Sequence, residues 1–279
     1  MNKHNIYTAT GSIDYNMTND YMFRVILQEN ELVLRGLICS LLHLSAEEII
    51  SVEIMNPIIL GETIDDKDFY LDVDVKLNNN TILNLEMQVE NQKNWTDRSL
   101  SYLCRNFSKI HKGQEYSEAS PAIHIGFLNY TLFPEHPEFY ATYKILNIKN
   151  FHLFSDKFML GVVDLRRIDL ATDEDRYYGL DKWVALFKSK TWEDIRMIAK
   201  ENPALEEATK SLYKFNSEVQ IRQRCLARED YYRMIRTYER DIKQQSATIE
   251  EQASTIEELS STVAQLRSEL ELLKQQHSK

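Results

Sequence analysis

Two neighbouring segments near residue 80 alternate apolar and polar residues, and no other feature constrains the fold as strongly. Residues 69–77 read F-Y-L-D-V-D-V-K-L, and residues 82–90 read I-L-N-L-E-M-Q-V-E. A period of two is the signature of a half-buried β-strand. The three asparagines between the segments, residues 78–80, favour a tight turn. The sequence therefore predicts an antiparallel hairpin.

This hairpin determines which polar side chains face each other. If the chain folds about the central asparagine, Asp72 lies opposite Glu86. Asp74 then lies opposite Asn84, and Gln88 shares the same face because side chains alternate across a strand. Directly opposed carboxylates repel, and a divalent cation between them relieves this repulsion; their hard oxygen ligands suit magnesium. The alternative is a solvated sheet face, on which Asp, Asn and Gln are common.

Composition and charge restrict the class of protein. The chain has 279 residues, a net charge of −10 and an apolar content of 43%, which together predict a packed core and exclude coating of nucleic acid by bulk charge. A local basic groove stays open. The three cysteines have no metal-ligand spacing, and we find no long apolar run. We expect a cytoplasmic protein with reduced thiols and no membrane partner.

Apolar periodicity predicts four segments along the chain. Residues 1–17 form a polar lead-in, and residues 18–173 alternate helix and strand signals, which is typical of an α/β layered domain. Strand signals stop after residue 173, so residues 174–240 are predicted to be a helical extension. Within the α/β segment, strands are predicted at 49–55, 122–128, 139–148 and 158–165, a short helix after Leu44, and a longer one from Trp95 to Gly113.

Residues 241–279 repeat every seven residues. Ile242, Ile249, Ile256, Val263 and Leu270 take position a of the heptad, and Gln245, Gln252, Leu259, Leu266 and Leu273 take position d. This seam predicts a parallel two-stranded coiled coil, in which Glu269 can meet Lys274 of the partner helix. A single solvated helix is the alternative. The two glutamines at d weaken the seam at its proximal end.

Several basic residues lie just upstream of the heptads: Arg222, Arg224, Arg228, Arg233, Arg236, Arg240 and Lys243. A basic region before a coil is typical of zipper proteins that read DNA. Here four acids are interspersed among the bases, at positions 229, 230, 239 and 241. A mixed-charge helix docked on the globular part is therefore the preferred interpretation.

The run K-D-F-Y-L-D-V-D-V-K-L-N-N-N-T-I-L-N-L-E-M-Q-V resembles the core of the Rpn family, recombination-promoting nucleases that are also described as transposases. N-D-Y-M-F-R-V-I-L at 19–27 is similar to the family's opening helix, and R-S-L-S-Y-L at 98–103 and G-Q-E-Y at 113–116 to its post-hairpin helix. The resemblance covers roughly residues 18–240, and the heptad tail lies outside it. It implies a restriction-endonuclease-like PD-(D/E)XK fold, a mixed sheet flanked by helices.

The resemblance also implies an activity: DNA endonuclease chemistry with Mg²⁺ or Mn²⁺. Carried over onto this chain, the motif residues are Asp72, Glu86 and Gln88. Asp72 and Glu86 would hold the metal, with the backbone carbonyl of Met87 as a further ligand. Gln88 would orient the attacking water. It stands where the wider superfamily has Lys, and because Gln cannot act as a base, the metal must contribute more of the activation.

Two further acids have open roles. In the superfamily an acid from the first helix can join the metal site, which makes Asp20 a candidate ligand; equally, it can cap its own helix. Asp74 shares the face of Asp72 and can act as electrostatic support or stay solvated.

The helix after the hairpin offers cations and an aromatic ring. Arg98 and Tyr102 lie one turn apart and are predicted to face the site. Together with Lys93 and Arg105 they can bind DNA phosphates. The alternative is a solvated basic helix face.

Three hypotheses follow. The first is an active metal-dependent DNA endonuclease in recombination, mobile-element movement or defence, and the three motif residues favour it. The second is a catalytically inactive relative that acts as an oligomeric DNA-binding or scaffolding protein. The third is a coiled-coil adaptor. In the first case a dimeric coil would hold two active sites together, which suits cleavage of both DNA strands.

Overall fold

The computed structural model describes residues 6–57, 72–78, 80–91, 93–108, 115–200 and 202–277, with side chains as far as residue 274. Six strands occur in these ranges: β1 (Val52–Ile54), β2 (Val73–Leu77), β3 (Ile82–Gln88), β4 (Ala122–Leu128), β5 (Tyr140–Tyr143) and β6 (Phe158–Asp164). The α-helices there are α1 (Asp20–Glu29), α2 (Glu31–Leu42), α3 (Trp95–Phe107), α4 (Asp173–Tyr177), α5 (Leu180–Lys188), α6 (Trp192–Ala199), α7 (Pro203–Ser217) and α8 (Val219–His277).

The strands form one mixed sheet in the order β1-β2-β3-β4-β6-β5. Strands β3, β4 and β6 run parallel to one another, whereas β1, β2 and β5 pair antiparallel with their neighbours. The predicted mixed sheet with flanking helices is therefore confirmed. Its architecture is consistent with a restriction-endonuclease-like fold.

The hairpin has the register that its sequence predicts. Asp74 pairs with Asn84, and Val73 with Leu85. Continued by one residue beyond the observed pairs, this register would bring Asp72 opposite Glu86. Strand β2 begins at Val73, and the predicted strand residues 69–71 lie outside the described part of the chain.

The boundaries of several other elements differ from their predictions. Strand β1 is shorter than the predicted 49–55, and β6 ends one residue before the predicted 165. The segment after Leu44 is a turn, because α2 ends at the left-handed residue His43 and the Glu48 carboxylate accepts the Ser45 N–H. Helix α3 ends at Phe107, and most of the predicted remainder lies outside the described residues. The strand predicted at 139–148 stops at Tyr143, where the chain leaves the sheet.

The two faces of the sheet differ in what they bury. One face carries Val75, Leu83, Leu85 and Phe127 into the main apolar core, against α1, α2, α5 and α7. The other face is covered by α3 and has a smaller apolar cluster around Leu103. The polar side chains of β3 lie on this second face, beneath α3.

The chain divides into two compact units, residues 1–228 and 229–279. The predicted division at 173/174 lies within the first unit, and the predicted division at 240/241 lies within the second. The tail is helical to His277, and its heptad seam is exposed along its length; the pairing of two such helices stays a prediction. None of the described helices has both the length and the apolar character needed to cross a bilayer.

Candidate functional site

The polar row of β3 is buried. Asn84, Glu86 and Gln88 are each 5% exposed or less, because α3 lies over them. The alternative of a solvated sheet face is therefore wrong for β3. On the neighbouring strand Asp72 and Asp74 are half-buried, so this side of the site opens toward solvent.

Asn84 holds the two aspartates of the hairpin side by side. Its Nδ2 donates hydrogen bonds of 2.7 Å to Asp72 Oδ2 and of 2.7 Å to Asp74 Oδ1. These acids border a cavity of about 240 Å³. The residues that line it are Asn56, Asp72, Asp74, Asn84, Tyr102, Arg105 and Asn106. Two carboxylates and an amide thus share one small polar cleft.

Glu86 lies deeper, with its side chain turned toward α3. Its Oε1 is ion-paired with Arg98 Nη2, and its Oε2 lies 3.6 Å from His124 Nε2. Arg98 Nη2 also donates a hydrogen bond of 3.0 Å to Gln88 Oε1, and Gln88 Nε2 donates to the Glu90 carbonyl at 2.9 Å. The guanidinium of Arg98 therefore bridges the two motif side chains of β3.

His124 on β4 closes the inner wall of the site. It is fully buried, and its ring lies 5.8 Å from that of Trp95 and 5.9 Å from that of Tyr102. Burial, helped by the nearby positive charge of Arg98, lowers the pKa of His124 to about 3. The imidazole is therefore neutral at neutral pH and adds no charge beside Glu86.

A glycine makes room for this wall. Gly126 lies opposite Glu86 in the parallel β3–β4 pair. A Cβ atom at this position would come within 2.4 Å of the Trp95 ring. Because Gly126 has no side chain, the indole of Trp95 packs on the sheet beside His124. Trp95 is the first residue of α3, so this contact fixes the start of the helix against β4.

A second arginine supports the site from the core side. Arg24 on α1 is fully buried and binds the Asp72 carbonyl and both oxygens of Asn56. Burial lowers the pKa of Arg24 to about 10, although the negative charges of Asp72 and Asp74 act to raise it. Since this pKa lies well above 7, Arg24 stays charged. The Asn56 side chain also accepts the Asp74 N–H at 2.9 Å, which fixes the start of β2.

The predicted phosphate-binding residues have different surroundings in the structure. Arg98 and Tyr102 both face the site, as predicted, but Arg98 is engaged with Glu86 and Gln88. Arg105 lies at the mouth of the cleft with its guanidinium 5.2 Å from the Tyr102 ring centre. Lys93 is exposed in the loop before α3. The role of these residues in DNA binding stays a prediction.

Asp20 has another partner. Its carboxylate accepts two bonds of 3.0 Å from Arg228 Nε, and a third contact joins it to Arg228 Nη2 at 2.5 Å. The N-cap of α1 is Asn19, which accepts the Met22 N–H, and not Asp20; Asp20 Oδ1 accepts the N–H of the adjacent Tyr21, at 2.9 Å. A metal-binding role for Asp20 would require it to leave Arg228.

Sequence reasoning missed the residues that balance charge and shape in this site. His124 and Gly126 come from β4, and Arg24 comes from α1; none of them belongs to a local motif with the acids. The run N-D-Y-M-F-R contains Arg24, but its period gives no sign that the arginine points into the core. The side chain of Met87 is in the core, and the role of its carbonyl stays a prediction.

Comparison with known proteins supports one family. A family model described as PD-(D/E)XK nuclease family transposase matches residues 17–270. This match includes most of the heptad tail, which the resemblance seen in the sequence leaves out. Neither the curated proteins nor the solved structures contain a match.

Proposed function

Because the chain belongs to the PD-(D/E)XK nuclease family transposases, we propose that it hydrolyses DNA phosphodiester bonds at the Asp72–Glu86 site with Mg²⁺ or Mn²⁺. The hairpin register supports this proposal: Val73 pairs with Leu85, and the same register continued by one residue would bring Asp72 opposite Glu86. Neighbouring Asp74 and Asn84 extend the oxygen-rich cleft.

The donor set fits a hard divalent cation. Among the described residues no three His, Cys, Asp or Glu side chains form a metal-binding group by themselves. Mg²⁺ does not need such a cage, since it keeps several waters and commonly binds through one or two carboxylates plus substrate phosphates. Within the described chain Glu86 Oε2 accepts no hydrogen bond, whereas Oε1 is ion-paired with Arg98. Asp72 and Glu86 would therefore hold the cation, which when bound lowers the pKa of water and stabilises phosphate charge.

The protein's own residues orient the substrate and the water. Asn84 holds Asp72 in place through its amide, and Arg24 holds the Asp72 backbone. The Gln88 side chain is fixed at both ends, by Arg98 and by the Glu90 carbonyl. A water beside Glu86 would meet an amide of fixed orientation that neither gains nor loses a proton. Arg105 at the cleft mouth would bind a phosphate oxygen.

Cleavage of supercoiled plasmid tests the proposal. Wild-type protein should cut with Mg²⁺ and stop in EDTA, and Asp72→Asn should lose at least about 100-fold in rate because a ligand charge is removed. Asp97→Asn is the matched control, since Asp97 is an exposed acid on the first turn of α3. Cutting that persists in both EDTA and Asp72→Asn would refute the proposal.

One observation favours the alternative of an inactive relative that binds DNA or serves as a scaffold. Arg98 is already paired with Glu86, and a guanidinium in this position can substitute permanently for a cation. In that case the protein should shift DNA in a gel with no cleavage at any metal concentration. A chain that neither cuts nor binds DNA would point to an adaptor.

The tail is proposed to join two copies in a parallel coil. Ile256 and Leu259 are exposed members of the seam, and an exposed heptad stripe of this length requires a partner to bury it. Ile256→Lys should reduce the mass in solution from about two chains to one, 32.9 kDa, by light scattering. Ser261→Lys, on the opposite face of the heptad, is the control. A mass that is unchanged by Ile256→Lys would contradict the coil.

Two active sites held together would favour cuts in both strands of a duplex. Ile256→Lys should then nick plasmid faster than it linearises it, relative to wild type. We further propose that the protein takes part in recombination, mobile-element movement or defence, and that it is located in the cytoplasm.

A further inference from the structure

A hairpin projects from the edge of the sheet between β5 and β6. It comprises residues 144–154, and its two arms are joined by the bridge between Leu146 and Leu153. The Asn147 N–H donates to the His152 carbonyl at 2.9 Å, and the Phe154 N–H to the Ile145 carbonyl at 2.9 Å. The 144–154 hairpin is thus a defined structure with its own hydrogen bonds.

Its tip is shaped by two asparagines. Asn147 Oδ1 accepts the Lys149 N–H at 2.9 Å, and Asn150 Oδ1 accepts the His152 N–H at 3.0 Å. Phe151 has a φ of 58°, a left-handed conformation that is unfavourable for a bulky side chain. These bonds hold an aromatic residue in a strained position at the tip, which is common at binding sites.

The hairpin exposes large apolar side chains to solvent. Ile148 is 89% exposed, Phe151 is 75% exposed and Phe154 is 81% exposed. Single exposed apolar residues are ordinary, but several together on one short projection mark an interaction site.

The charge of this segment is opposite to that of the whole protein. Between Glu138 and Asp156 the sequence has no acid, whereas Lys144 lies at the base of the hairpin and Lys149 within its apolar tip. The chain as a whole carries a net charge of −10. Lysines interleaved with exposed aromatic and aliphatic side chains are suited to nucleic acid: the lysines bind phosphates, and the apolar groups stack on or wedge between bases.

The sheet places the base of this hairpin beside the cleft. Tyr143 at the end of β5 lies in one row with Leu160, His124 and Asn84. Three strand spacings separate Tyr143 from Asn84, roughly 14 Å. This distance corresponds to roughly four base pairs of B-form DNA. A duplex that runs from the acidic cleft along this row would extend past the hairpin.

We propose that the 144–154 hairpin is a second DNA contact, whose apolar tip wedges against bases a few base pairs from the cut while Lys144 and Lys149 bind the flanking phosphates. The inference rests on the proposed function, because that function makes duplex DNA the substrate. It adds a contact that positions the duplex, separate from the acidic site.

Binding of a fluorescein-labelled 20-base-pair duplex, measured in EDTA by anisotropy, tests the proposal without cleavage. Ile148→Ser combined with Phe151→Asn should weaken binding about tenfold, since losing one stacked base has about this effect. Asn is chosen at 151 because it tolerates the left-handed conformation. Lys144→Gln combined with Lys149→Gln should reduce the slope of log K against log salt by about 1.8.

The controls are Tyr177→Ser, another strongly exposed aromatic residue, and Lys190→Gln, an exposed lysine. Both should bind within about twofold of wild type. A 2-aminopurine placed near the cut should brighten when wild type binds but not when the tip variant binds, because a wedge unstacks bases.

Three results would overturn the inference. Equal DNA affinity of the wild-type and hairpin variants would refute the contact while leaving the proposed function intact. A change in mass without a change in DNA affinity would make the hairpin an interface between copies. No DNA binding by wild-type protein would remove the proposed function, and this inference with it.

Discussion

Replacing Arg98 with methionine removes the positive charge beside Glu86 while keeping much of the side-chain volume. Glu86 is only 4% exposed, so its carboxylate would remain buried without a counter-charge. Breaking a fully buried ion pair by removing one partner costs about 3–5 kcal/mol. The Arg98 side chain is 32% exposed, and water can therefore compensate part of the loss. We expect Arg98→Met to lower the free energy of unfolding by about 2–3 kcal/mol.

Urea denaturation at pH 7.5 in EDTA measures this loss, with Arg105→Met as the control. Arg105 lies two turns further along α3, and its surface location predicts a change within about 0.5 kcal/mol. The double variant Arg98→Met/Glu86→Gln should be about 1–2 kcal/mol more stable than Arg98→Met, since the unpaired charge is gone.

Titration with Mg²⁺ extends the same experiment. If the cation binds Glu86, it should stabilise Arg98→Met more than wild type, because no guanidinium competes for the carboxylate; at 100 times its Kd the gain is about 2.7 kcal/mol. The reasoning is refuted if Arg98→Met unfolds within about 0.5 kcal/mol of wild type, or if the added Glu86→Gln gives no recovery.

Three further sets of substitutions follow from the geometry. Between pH 6.5 and 3, His124 binds a proton in the unfolded state but not in the folded state, so the free energy of unfolding falls as the pH falls. His124→Phe should reduce the slope of this fall by up to about 1.4 kcal/mol per pH unit. Urea midpoints measured from pH 7 to 5 check this. Gly126→Ala should destabilise by about 1–3 kcal/mol because the new methyl meets Trp95, and adding Trp95→Leu should restore part of the loss in thermal melts. Asp20→Asn and Arg228→Met should each cost about 3 kcal/mol, and the double variant should cost less than their sum in a urea-denaturation cycle.

The local part of the site could be predicted from the sequence. The period of two and the turn asparagines determine a register in which Asp74 meets Asn84, and the structure has that register. The sequence likewise predicts the strand at 122–128 with the ends that the structure has, since this largely apolar run is short and clearly bounded. These features depend on residues close together in the chain.

The rest depends on contacts between distant segments. The pattern of β3 shows which residues share a face, but only the docking of α3 decides that this face is buried and that Arg98 meets Glu86. Arg24 reaches the Asp72 carbonyl across 48 residues of chain, and no local period records that contact. In the segment after β5, the apolar pattern predicts that the strand continues to residue 148. The structure has a projecting hairpin there, whose turn is held by side-chain hydrogen bonds of Asn147 and Asn150.

Two arginines place positive charge next to the acidic site. Buried carboxylates are tolerated only with counter-charges or hydrogen bonds. Here α1 supplies Arg24 behind Asp72, and α3 supplies Arg98 beside Glu86, from opposite faces of the sheet. Removing a divalent cation should therefore leave the fold intact, because the compensation comes from the chain itself. Loss of cleavage in EDTA by a protein that still unfolds in one cooperative urea transition, at a midpoint lowered only by the loss of the bound cation, would then report on the chemistry at the cleft and not on unfolding.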